Sequence, residues 1–242
     1  MRPDAVRRVL NAELAAVRER GVPRVLDVGG GSGVWAVPLA ASGCSVTVVD
    51  PSPNALATLH RRAQDAGVLD KITAVQGDSD ALASLVPAGS ADLVLGHGVL
   101  EVVDDPKTTV AAMAEAVAPG GVVSVLVANR FAAVLHRAVT GRLVDARRLL
   151  DDPAGQLVEE SLTRRFDVAG LTQLLVEGGL AVELVQGHGV VADLVPGSVL
   201  DGNPGAADAL AQLELAAATL SPLRDIAARL HALGRKQAPA GQ

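Results

Sequence analysis

Apolar residues at Val6, Val9, Leu10, Leu14 and Val17 recur at helical spacing and predict a helix over Pro3–Arg20, ended by Gly21. After it, short apolar runs alternate with amphipathic ones. Arg24–Val28, Ser45–Asp50, Ile72–Gln76, Ala91–Gly96 and Val122–Ala128 read as buried strands rich in valine. Helices are predicted over Gly33–Ser42, Pro53–Gly67 and Pro106–Ala118, and two of them open on proline, which suits a first helical turn. Pro119-Gly120-Gly121 reads as the turn into the fifth strand. This alternation predicts an α/β fold: a doubly wound parallel sheet with helices on both faces.

The second half is less regular. Helices are expected over Phe131–Thr140, Val168–Gly178 and Ala206–Leu220, and strands over Leu180–Gln186 and Arg229–Leu233. Gly141–Arg165 mixes Arg, Asp, Glu and Pro with weak periodicity and reads as an excursion over one edge of the sheet. Gly187–Gly205 reads as loop, and Gln237–Gln242 as a frayed tail. Residues 1–236 are read as one domain, which suits a chain of 242 residues.

Composition narrows the picture. Hydrophobic residues make up 49% but aromatics only 1%, so the core must be Val, Leu and Ala. The formal net charge of −6 argues against non-specific nucleic-acid binding, which depends on neutralising phosphates. Cys44 is the one cysteine and is read as a small buried residue; no ligand cluster suggests a metal. No segment is long and apolar enough for a signal peptide or a membrane span, and a reduced cytoplasm is the expected location. The oligomeric state is left open.

The chemistry concentrates in VLDVGGGSGVWAVPLA, residues 25–40. Gly29, Gly31 and Gly33 let the chain turn tightly between a strand and a helix and keep side chains away from a ligand lying over the turn. The helix start adds unpaired N–H groups and a positive dipole end. Two cofactor classes compete on these residues. Gly31 to Ala36 can be threaded onto a dinucleotide fingerprint with Asp50 as the ribose acid. The alternative is S-adenosylmethionine.

Taken together, the D-x-G-x-G-x-G of Asp27–Gly33, the VVDPS at the second strand's end, the QGDSD after the third, and ADLVLGHGVLEVVDDP followed by APGGVVSVLVAN resemble the class I S-adenosylmethionine-dependent methyltransferases. The resemblance covers roughly residues 24 to 130. It implies a Rossmann-like, doubly wound, seven-stranded and mostly parallel sheet. The N-terminal helix (3–20) and the 141–165 excursion would form a lid. It also implies site roles. Asp27 would help hold the cofactor's methionine end, Gly29, Gly31 and Gly33 would cradle it, and Asp50, with Ser52 beside it, would hold the ribose hydroxyls. Asp78 and Ser79 would meet the adenine, and His97 would face the sulfonium. Arg2, or else Arg7 or Arg8, would meet the methionine carboxylate.

In that reading His97 and Glu101, together with Asn129 and His136 on the acceptor side, are the catalytic candidates. Arg130 and Arg137, seven apart on one helix face, would hold an anionic substrate. The layout of the second half is similar to the bacterial tRNA carboxymethoxyuridine methyltransferases, which implies a carboxylate acceptor on a modified wobble uridine. Against a tRNA, the excursion is mixed to acidic. Arg142, Arg147, Arg148, Arg164 and Arg165 alternate there with Asp145, Asp151, Asp152, Glu159 and Glu160, so local salt bridges are expected. Only Trp35, Phe131 and Phe166 offer rings for base stacking. A small-molecule O-methyltransferase and a SAM-binding, non-catalytic subunit therefore stand as alternatives.

Overall fold

The structure is a computed structural model describing residues 4–152, 154–157 and 160–238. In chain order the elements are α1 (Ala5–Arg18), β1 (Arg24–Val28), α2 (Ala36–Ala41), β2 (Ser45–Asp50), α3 (Pro53–Asp65), β3 (Ile72–Gln76), α4 (Leu82–Leu85), β4 (Ala91–His97) and α5 (Pro106–Ala116). They continue with β5 (Val117–Ala128), α6 (Arg130–Val139), α7 (Leu143–Asp151), α8 (Val168–Glu177), β6 (Ala181–His188), α9 (Gly197–Gly202), α10 (Ala206–Ala217) and β7 (Arg229–Arg235). Side-chain caps explain several helix starts: Asp4, Ser52, Asp105, Asn129 and Asp167 each accept a backbone N–H in the first turn of the helix that follows.

The strands form one seven-stranded sheet in the order β3-β2-β1-β4-β5-β7-β6. The pairs among β1–β5 are parallel, and β7 runs antiparallel to both β5 and β6. The winding direction reverses between β1 and β4. In open α/β sheets such a reversal leaves a crevice at the carboxyl ends of the strands, where ligands bind.

Alternation along the strands builds two cores. Val25, Leu93, Leu95, Val122, Leu126 and Leu233 face the α1, α2 and α3 side. Leu26, Val94, Val123, Val125, Val127 and Leu230 pack against α5 and α8 on the other. Val6 and Leu14 of α1 are wholly buried, so this helix is a fixed wall of the core and not a loose cover. Cys44 is buried in the same layer.

Several elements differ from the sequence expectation: the short helix α4 lies outside the expected elements, and the stretch read as loop over Gly187–Gly205 contains the end of β6 and helix α9. The second helix starts at Ala36, because Gly33 sits at φ +80°, outside helical geometry. The fifth strand starts at Val117 and carries Pro119-Gly120-Gly121 within it as an irregularity: its register against β4 jumps between Ala91 and Leu93. The 141–165 excursion contains a nine-residue helix, α7, that buries only Ala146 and Leu149.

Candidate active site

Four segments meet at the reversal: the glycine turn after β1, Asp50-Pro51 after β2, Asp78–Asp80 after β3, and Gly98–Asp104 after β4. They enclose a cleft of about 330 Å³. The Gly31 N–H donates to Asp50 Oδ2 at 2.9 Å and the Ser52 N–H to Oδ1 at 2.9 Å. Asp50 thus ties the glycine turn to the start of α3. Ser52 is spent as that helix's cap, its hydroxyl accepting from Ala55 N. Asp78 Oδ1 accepts from the Ser79 hydroxyl and, more weakly, from Asp80 N.

The three turn glycines all have positive φ, as a tight turn requires, yet they serve different ends. A Cβ at Gly29 would stand 2.5 Å from Val99 Cγ2, and one at Gly33 would overlap Leu59 Cδ1. Those two glycines answer to protein packing. At Gly31 a Cβ would meet only ordinary contacts, the nearest being Asp50 Oδ2 at 3.7 Å. Gly29 nonetheless lines the cofactor cleft, so of the three only Gly33 is accounted for by packing alone. Gly33→Ala should destabilise the fold by about 2–4 kcal/mol from overpacking and left-handed strain. A melting point roughly 10 °C lower checks this.

Asp27 lies beneath the turn, 1% exposed, with Oδ2 lacking any hydrogen-bond partner among the described residues. Burial, and then the charge of Asp50, push its carboxyl up to about 7. A buried polar atom left unpaired calls for an explanation, and a cationic ligand group supplies one. The cleft agrees: Asp50, Asp78, Asp80 and Asp104 line it, with no lysine or arginine lining it among the described residues. A pyrophosphate would meet only like charge there. The residues therefore fit S-adenosylmethionine, with its sulfonium, ammonium and ribose hydroxyls, and disfavour a dinucleotide.

His97 ends β4 on the α1 face. Its Nε2 lies 2.9 Å from Ser124 Oγ, which lies 2.8 Å from His231 Nε2, and His231 Nδ1 lies 2.9 Å from Gln186 Nε2. Burial pushes His97 down to about 3 and His231 to about 4, so both rings are neutral at physiological pH. Ser124, His231 and Gln186 escaped the sequence reading because strand register alone brings them together. Trp35 packs against His97 with ring centroids 4.8 Å apart, and the Arg7 guanidinium sits 4.7 Å from the Trp35 ring centroid. Arg7 is thus placed beside the glycine turn, whereas Arg2 lies outside the described residues.

Several acceptor-side expectations are overturned. Asn129 caps α6 and donates to the carbonyls of Asp225 and Ala227, so its amide is consumed structurally. Glu101 accepts from Ala128 N at 2.8 Å, and Thr163 binds its carbonyl; it joins the end of β5 to the β4–α5 loop and lines neither the cofactor cleft nor the acceptor cleft described next. Arg130 pairs with Asp167 at 3.1 Å, and Arg137 with Glu160, which also holds Arg165. These pairs tie the arginines to the excursion, and Arg137, together with Asn129, still lines the acceptor cleft described next. Arg164 donates to the carbonyls of Leu100, Val103 and Asp104, fixing one wall of the cofactor cleft. His136 does reach a cavity: a cleft of about 530 Å³ past the end of β5, walled largely by Ala132, Leu135, Val139, Leu162, Val190 and Ile226.

Among the described residues, no helix is long and apolar enough to cross a membrane, and no group of His, Cys, Asp or Glu could hold a metal ion.

A glycine turn, carboxylates ending the second and third strands, and a cleft at the sheet's switch point define an α/β protein that binds a nucleoside-type cofactor. Residues 2–185 match a family described as a methyltransferase domain. The chain is 33% identical over 118 residues to the tRNA 5-carboxymethoxyuridine methyltransferase of Escherichia coli (strain K12), covering 49% of this chain and 45% of that protein. It is 39% identical over 118 residues to the ubiquinone biosynthesis O-methyltransferase of Paracidovorax citrulli (strain AAC00-1), covering 49% of each. The chain thus spans about half the length of the curated relatives it matches. An S-adenosylmethionine-dependent methyltransferase from Mesorhizobium loti shares the fold, with a TM-score of 0.60 at 20% identity over 93% of this chain and 98% of that one. The chain belongs to the methyltransferase domain family, with the class I fold that uses S-adenosylmethionine.

Proposed function

We propose that this chain methylates an oxygen, carried as a carboxylate on a small and largely apolar molecule. The observation that carries this reading is the apolar cleft of about 530 Å³ past the end of β5. The cofactor cleft lies past the end of the neighbouring β4, and the Gly98 N–H donates to Leu126 O, two residues before Ala128 of the acceptor wall; the two clefts share no lining residue.

Bound in its cleft, S-adenosylmethionine supplies a methyl group on a sulfonium, which is a good leaving group. The protein's share is to align the nucleophile and keep water out. A carboxylate is ionised at neutral pH and needs no base, which suits a site whose two obvious bases are withdrawn. His97 is half-buried and held by Ser124, and Glu101 is buried with its carboxylate on Ala128 N. Of the arginines that would greet tRNA phosphates, Arg142 is tied to Asp145, Arg147 to Asp151, and Arg137 and Arg165 to Glu160.

The test is calorimetric titration with S-adenosylhomocysteine, followed by methyl transfer from labelled cofactor to a panel of apolar carboxylic acids and to hypomodified tRNA. Cofactor binding with ester formation on the acids, and no salt-sensitive tRNA binding, is expected. Salt-sensitive tRNA binding with methylation would move the acceptor to the wobble uridine. Cofactor binding without turnover on any acceptor would favour a non-catalytic subunit.

A further inference from the structure

The line Gln186–His231–Ser124–His97 crosses four strands on one face of the sheet, from β6 through β7 and β5 to β4. Gln186, His231 and Ser124 are buried, His97 is half-buried, and each link is 2.8–2.9 Å long. Such a line has a polarity, because each neutral imidazole carries one N–H and the serine one O–H. At its far end stands an amide nitrogen, which can only donate. His231 must therefore accept at Nδ1 and carry its hydrogen on Nε2. Ser124 accepts that hydrogen and spends its own on His97 Nε2. His97 is left with its hydrogen on Nδ1, an atom that is buried and has no partner among the described residues.

We propose that Gln186, His231 and Ser124 are positioning residues that fix His97 as its Nδ1–H tautomer, so that it donates a hydrogen bond to a carboxylate oxygen of a bound ligand. The line does not conduct protons, since an amide at its end can neither take nor release one. The surroundings favour an anionic oxygen. Arg7 stacks on the Trp35 that packs against His97, and the positive charge of Arg229 is felt at His97. Both arginines line a separate cleft of about 430 Å³ under the start of α1. The inference rests on the methyltransferase reading, in which two carboxylates come to this edge: that of the cofactor's amino-acid part and that of the acceptor.

Nitrogen-15 NMR of histidine-labelled native chain reads the tautomer directly. A protonated Nδ1 and a bare Nε2 at His97 are expected; the reverse pattern overturns the proposal. Gln186→Met, close in size but without the donor, should leave His97 a mixture of tautomers. A single unchanged tautomer in that variant would also overturn it, whereas a merely structural Gln186 would change only the melting point. For the ligand, His97→Phe removes the donor, while His97→Asn keeps one near the Nδ1 position. If His97 serves the cofactor, His97→Phe weakens S-adenosylhomocysteine about ten- to a hundredfold, leaves methylthioadenosine unchanged, and His97→Asn restores most of the loss. If it serves the acceptor, both nucleosides bind as before and the acceptor's KM rises by that factor. No effect on either ligand refutes the donor role. Failure of the native chain to bind S-adenosylhomocysteine would instead refute the methyltransferase reading and leave the tautomer measurement standing.

Discussion

Asp50→Ala should abolish cofactor binding at ordinary concentrations while leaving the chain folded. The side chain is 8% exposed and closes β2 at the mouth of the cofactor cleft. Its two oxygens already hold the Gly31 and Ser52 N–H groups, which orients the carboxylate before any ligand arrives. An acid so fixed is suited to receive a pair of ribose hydroxyls. Losing two hydrogen bonds to a charged acceptor costs about 3–6 kcal/mol, at least a hundredfold in Kd. The structural cost is smaller. The glycine turn keeps its bonds from Gly29 N to Val49 O and from Gly33 N to Gly30 O, and α3 keeps its Ser52 cap. Calorimetry with S-adenosylhomocysteine, beside a thermal melt shifted by only a few degrees, checks both halves. Full affinity in the variant would remove Asp50 from the site.

The second large effect is a pH dependence set by Asp27. Its carboxyl is raised from 3.8 to about 7, first by burial and then by the charge of Asp50. A raised acid favours the fold in its protonated form. Its contribution to the stability of the ligand-free chain is complete below pH 3.8 and is lost as pH rises through about 7. Ligand binding should run the other way. An ammonium placed beside Asp27 needs the carboxylate, so binding releases a proton. Affinity for S-adenosylhomocysteine should rise roughly tenfold per pH unit up to about 7 and then level off. Titrations in two buffers of different ionisation heat would reveal the released proton. Asp27→Asn should give a flat profile and weaker binding at pH 8. A native profile that is flat between pH 5 and 7 would mean that Asp27 does not meet the ligand's charge.

What could be read from the chain, and what could not, divides along physical lines. The first four strands were legible because each is a short run carrying Val, Leu or Ile bounded by Gly, Asp or Pro, although β3, at the sheet's edge, buries none of its residues. The acids of the cleft were legible for a related reason: Asp50 and Asp78 stand at or just past the end of a strand, so placing the strand placed the acid. Helix α7 escaped because Leu143, Val144 and Leu150 face outward, leaving a two-residue apolar stripe among charges. Arg130 and Arg137 were rightly put on one helix, but their partners, Asp167 and Glu160, come from farther along the chain. The polar line through His231 depends on the register of β7 between β5 and β6, which no local pattern encodes.

That register has a further consequence, for how the molecule is made. Among the described strands β7 comes last along the chain, yet it lies inside the sheet, with β5 on one side and β6 on the other. Until Arg229–Arg235 emerges during synthesis, those two neighbours face each other across an empty lane, each with a row of unpaired backbone groups. Such edges invite pairing with other chains. A product cut short before Arg229 would lose its sheet's centre of closure and not a dispensable end, and its expected fate is aggregation.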